Sequence, residues 1–103
     1  MKELDEINMD IKRLEECILS NENTRNDKIK NRDIKRNHLL LSTDFKELGI
    51  TNEAGRKAYL DKEVASDNEA INNIEKNIKN FNIYLRFQER KLKIRLALLN
   101  RGE

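Results

Sequence analysis

A chain of 103 residues holds one domain at most, and with 37% hydrophobic against 39% charged residues it cannot fill a thick globular core. Leu, Ile, Val and Phe still occupy 28 positions and the formal net charge is only +2, which excludes the disordered class and predicts an elongated fold that leans on a partner. Proline is absent and glycine occurs only as Gly49, Gly55 and Gly102, so an all-helical chain is expected.

The acidic N-terminus, MKELDEINMD, lacks the basic and then apolar course of a signal peptide, and no apolar run approaches the length of a membrane span. The expectation is a soluble, cytoplasmic protein with no membrane partner. Helix one is predicted over about 2–41. Its stripe is Leu4, Ile7, Ile11, Leu14 and Ile18, which lapses through SNENTRNDK and resumes at Ile29 and Leu40. Ile7, Ile18, Ile29 and Leu40 are eleven apart, a spacing that relaxes a left-handed supercoil. The single cysteine, Cys17, lies beside Ile18 and is expected as a buried thiol.

The turn is predicted over 42–51. Asp44 and Glu47 have the spacing of a capping box, Gly49 suits the end of a short helical turn, and Thr51 or Asn52 caps the next helix, with Glu53 at its positive end. His38, Ser42 and Asp44 fall here too, but ordinary helix-end chemistry accounts for them better than a catalytic triad, since nothing orients a base or supplies an oxyanion site.

Helix two is predicted over about 52–100. Val64, Ile71, Ile78, Leu85, Leu92 and Leu99 repeat at one heptad position, while Leu60, Asp67, Ile74, Phe81, Gln88 and Arg95 give a companion position that is apolar but interrupted. Polar layers of that kind fix register in coiled coils. KLKIRLALL also alternates with a period of two, but the heptads run through it and no second strand is visible.

Charge predicts how the helices meet. Residues 1–24 carry −4, 25–38 carry +4, 39–75 carry −4 and 76–103 carry +6. Folding back around residue 46 or 47 sets each block against its opposite and brings Arg25 near Asp67 and Asn68, so an antiparallel two-helix coiled-coil hairpin with a short capped turn is expected, a single domain over 1–103.

Within FNIYLRFQERKLKIRLALL, residues 81–99, there are more apolar side chains than one interface needs. Phe81, Leu85, Leu92, Leu96 and Leu99 continue the face toward helix one. Tyr84, Phe87, Ile94 and Leu98 form, with Lys91, a second stripe spaced 3, 4, 3, 4; upstream its positions are the polar Asn73, Asn77 and Asn80. Such a stripe requires a cover, and the four apolar residues are the candidate partner-binding set. A second copy, giving a self-associated helical bundle, heads the candidates, followed by a fold-back of helix two or another protein.

One histidine and one cysteine give no metal-ligand spacing, and there is no glycine-rich phosphate loop. No catalytic, metal or cofactor residues are assigned, no small-molecule substrate is expected and the chain is read as a non-enzyme. Nucleic acid is the competing partner. Arg25, Lys28, Arg32 and Arg36 share one helix face, as do Arg86, Arg90 and Lys93, so each row has the spacing to follow a phosphate backbone. Intramolecular charge matching is the plainer account of both.

Heavy use of Asn (14), Lys (12) and Ile (11) is typical of an AT-rich genome such as a low-GC bacterium or its phages. TNEAGRKAYLDKEVA followed by a long heptad helix resembles the small coiled-coil proteins of unknown function found in phages and integrated elements, several of which carry an Asn-Glu-x-x-Arg-Lys-x-Tyr-Leu start. The resemblance covers about half the chain and transfers no functional residues. It implies a mobile-element accessory protein acting in the bacterial cytoplasm: an inhibitor of a host defence or nuclease complex, as anti-CRISPR proteins are, or a helper in recombination. Gly55, inside that motif, is expected to weaken the start of helix two by up to ~1 kcal/mol relative to Ala.

Overall fold

The computed structural model describes residues 2–102, and among them there are helices and no strand. Helix α1 spans Lys2–Ser42, α2 spans Glu53–Glu63 and α3 spans Ala65–Asn100. The expected all-helical class is found. One expected element is divided: helix two is broken at Val64, whose φ of −104° and ψ of 13° leave the α region. The ladder nevertheless continues on both sides, since the Val64 N–H donates to the Leu60 carbonyl at 3.1 Å and the Asn68 N–H to the Val64 carbonyl at 3.0 Å. Ser66, Asp67 and Asn68 follow, three poor helix formers whose side chains compete for backbone groups. Strict heptad spacing survives the kink, which is why periodicity could not reveal it.

The chain forms two compact units, residues 24–74 and residues 1–23 with 75–103. In the first, Arg36 pairs with Asp61, Lys35 Nζ lies 3.2 Å from Asp67 Oδ2, and Arg32 Nη1 donates to Asn68 Oδ1 at 3.0 Å. Higher numbers in α1 meet lower numbers beyond the turn, so these segments run in opposite directions. The pairs centre near residue 50 rather than 46 or 47. Arg25 is therefore not the partner of Asp67 and Asn68; its Nε donates to neighbouring Asn26 instead. Leu60, Val64 and Ile71 are buried at the heptad positions, and Leu39 is half-buried where Leu40 was expected to point inward. Leu40 is exposed.

The turn closes as a Schellman motif. Ile50 N–H donates to the Phe45 carbonyl at 2.8 Å and Gly49 N–H to that of Lys46 at 3.0 Å, with Gly49 at φ +76°. Asp44 Oδ1 accepts from the Glu47 N–H, and Asn52, rather than Thr51, caps α2 by accepting from the Gly55 N–H at 2.7 Å. Phe45 and Tyr59 meet edge to face with ring centroids 5.6 Å apart. A Cβ on Gly55 would come within 3.0 Å of both Asn52 Oδ1 and Ile50 Cγ2. The glycine expected to cost helix stability makes room for the cap.

In the other unit, Arg95 Nη2 lies 2.8 Å from Glu3 Oε1, and Ile7 and Ile78 are buried. Ile11, Leu14, Ile18, Phe81, Leu85 and Leu92 are half-buried between the two segments. Leu96 and Leu99, expected on this face, are exposed because Arg95 already stands opposite Glu3 and almost no α1 remains beyond it. Cys17 is exposed, since it sits one residue off the inner row occupied by Ile18. No helix is long and apolar enough to cross a membrane among the described residues.

Candidate protein-binding face

The second stripe begins at Tyr84, where the inner face of α3 is packed through Phe81, Leu85 and Leu92. Tyr84 is 61% exposed, Phe87 63%, Ile94 55% and Leu98 39%. Ile83, which the 3, 4, 3, 4 reading passed over because that reading started at Tyr84, is 52% exposed and falls one turn before Phe87 on the same side. The seven-residue steps from Phe87 to Ile94 and the four-residue steps to Ile83 and Leu98 place these side chains along one line of the helix. The stripe is therefore extended, apolar and open.

The two basic rows fare differently. Arg32 is half-buried and engaged by Asn68 and by Asp33, its Nη2 lying 3.1 Å from Asp33 Oδ1, while Arg36 is half-buried against Asp61. The Arg36 guanidinium, by its hydrogen bond first and its charge second, with Lys57 adding to it, holds the Asp61 carboxyl below its ordinary pKa of 3.8; partial desolvation opposes this without reversing it. Two of the four cations of this row are thus occupied within their own unit, and Arg25 is half-buried beside Asn26. Lys28 is exposed. Arg86, Arg90 and Lys93 are all exposed and make no hydrogen bond or ion pair among the described residues.

Other surface features were not visible as sites in the sequence. An apolar groove floored by Ile18, Leu19 and Leu85 is rimmed by Glu15, Glu16 and Glu22 together with Lys12. Ile34 and Leu41, seven apart on α1, are exposed. The Ser42 hydroxyl donates to the His38 carbonyl at 2.7 Å, a helix-end contact with the backbone and not with the imidazole. Among the described residues no three His, Cys, Asp or Glu side chains converge as metal ligands would.

No protein-family model matches the chain, and no curated protein or solved structure matches it either.

Proposed function

We propose that this chain is a non-enzymatic interaction protein, built as an antiparallel two-helix coiled-coil hairpin in which α2 and α3 act as one kinked helix. It works by occupying a surface of another protein, and its contact face is Tyr84, Phe87, Ile94 and Leu98. The observation that carries the reading is their exposure in a row on a helix whose opposite side is packed as far as Leu92. Each such side chain gains about 1.5–3 kcal/mol on full burial, so four or five together favour a cover strongly. A phage-borne inhibitor of a host defence or nuclease complex is the role that accords with the resemblance of TNEAGRKAYLDKEVA, and a second copy of the chain is the other protein cover.

The double change Phe87→Glu with Ile94→Glu tests this. Neither residue is buried and Glu is a good helix former, so helicity by circular dichroism stays close to wild type. Partner binding or self-association is lost, because charge placed in an apolar contact costs more than the missing area. A variant that stays folded and binds as before sinks the assignment, and one that unfolds assigns the residues to an internal core.

The exposed, unengaged Arg86, Arg90 and Lys93 support a second reading as a basic nucleic-acid binder. Binding through phosphates weakens steeply between low and physiological salt, whereas an apolar protein contact changes little.

A further inference from the structure

The chemistry of the partner can be taken one step further, resting on the reading of the α3 strip as a protein-binding face. Ile83, Phe87, Ile94 and Leu98 are spaced 4, 7 and 4 along α3; Lys79, Arg86, Arg90 and Lys93 are spaced 7, 4 and 3, and at 3.6 residues per turn they form a parallel row immediately beside the first. Lys91 stands within the strip itself. None of these cations is engaged in a hydrogen bond or ion pair among the described residues. Glu89, the one acid between residues 76 and 102, lies on the far side of Lys93 from the strip.

We infer that the strip receives an amphipathic helix of another protein whose apolar face is bordered by carboxylates. Two copies of this chain pairing strip to strip fit poorly. An antiparallel two-fold arrangement sets Arg86, Arg90 and Lys93 of one copy against the same residues of the other, and a parallel one offers those cations no acid either. The groove of a second copy is net acidic but carries Lys12 on its rim, and it is too short: it runs along residues 12–22, about 15 Å of helix, against about 22 Å for residues 83–98. Nucleic acid would satisfy the basic row yet leave Ile94 and Leu98 in water, since aliphatic side chains offer no plane for base stacking. A helix bearing carboxylates along one edge of a leucine or isoleucine face meets both rows at once.

The test uses the full chain and three synthetic helical peptides with one leucine face, flanked by Glu, by Gln or by Lys, with binding followed by fluorescence anisotropy. The Glu-flanked peptide binds about tenfold more tightly than the Gln-flanked one, as several exposed charge pairs acting together allow, and the Lys-flanked peptide binds most weakly. The triple change Arg86→Glu, Arg90→Glu, Lys93→Glu inverts that order, and Arg86→Gln, Arg90→Gln, Lys93→Gln, which only neutralises, levels it; circular dichroism on each variant establishes that it is folded. Phe87→Glu with Ile94→Glu abolishes binding of all three. Equal affinity for the three peptides overturns the charge selection and leaves the apolar face standing, whereas binding indifferent to Phe87 and Ile94 overturns both. The inference also falls if the Glu-flanked peptide shows no binding at millimolar concentration, if oligothymidylate binds more tightly with a steep salt dependence, or if sedimentation shows the wild-type chain associating through Phe87 and Ile94.

Discussion

Gln88 occupies a heptad position in the unit formed by the chain's two ends, and its Oε1 is buried without a hydrogen-bond partner among the described residues. Leaving a carbonyl oxygen desolvated and unbonded costs about 1–3 kcal/mol, so Gln88→Leu removes a penalty and adds apolar area. The variant is expected to melt several degrees higher in thermal circular dichroism; a lower melting temperature would mean the carboxamide is bonded. Asp61 makes the opposite kind of contribution. Its folded pKa lies below the ordinary 3.8, so its stabilising effect is complete above that value and fades as pH falls through the lowered one. Arg36→Gln removes the largest cause, and carboxyl titration by NMR is expected to show Asp61 moving back up toward 3.8. An unchanged titration would show the ion pair to be absent in solution. The sequence marked Gln88 as a polar interruption of an apolar row, but whether its oxygen finds a donor depends on rotamers across the interface that no spacing encodes.

The elements themselves were largely legible. Val64, Ile71 and Ile78 are buried as their seven-residue repeat predicts, and Asp44, Gly49 and Asn52 do the capping that their positions suggest. What spacing missed has identifiable causes. In the run Leu39-Leu40-Leu41 every residue is apolar, so periodicity has no contrast with which to choose Leu39. The kink at Val64 changes two dihedrals and displaces no residue from its row. Gly55 looked like a weakness because helix propensity counts only the backbone of α2, whereas the space beside it is filled by Asn52 and Ile50. Two substitutions separate these effects. Asn52→Ala loses the cap and is expected to destabilise by about 1 kcal/mol in urea unfolding. Gly55→Ala, worth up to ~1 kcal/mol of stabilisation in an uncrowded helix, is expected to melt no higher than wild type. A clear gain at Gly55→Ala would show that the cap tolerates a methyl group there.

At the scale of the whole molecule, the alternating charge blocks foresaw opposite running of the chain on either side of the turn, and missed the register by about three residues because blocks of a dozen residues or more match equally well over a range of offsets. The contacts that set it are single pairs: Arg36 with Asp61, Lys35 with Asp67, Arg32 with Asn68. Exposed pairs each contribute only ~0–1 kcal/mol, so they choose among alignments that the apolar rows leave close in energy. Replacing both Lys35 and Asp67 by Cys, in a Cys17→Ser background, is expected to give a crosslink within one chain when a short thiol-reactive linker is added at high dilution. Crosslinks found only between chains would indicate a swapped or parallel assembly. The exposed row Tyr84, Phe87, Ile94 and Leu98 was legible for the same reason as the core, because apolar residues recur there on a second side of the helix; its use as a binding face is the proposal.

The division of the chain into two units also bears on the entropy of folding. The unit holding the turn is made from one continuous stretch, residues 24–74, whereas the other joins residues 1–23 to residues 75–103. Bringing those two ends together in an otherwise unstructured chain means closing a loop that contains the whole of the first unit, an entropic charge of about 3.5 kcal/mol for a segment of that length. Once Lys35 has met Asp67 and Arg32 has met Asn68, most of that loss has already been incurred. Local closure at the turn therefore favours the unit of residues 24–74 forming first, and pulsed hydrogen exchange is expected to show protection there before it appears in residues 75–100; simultaneous protection would count against that order.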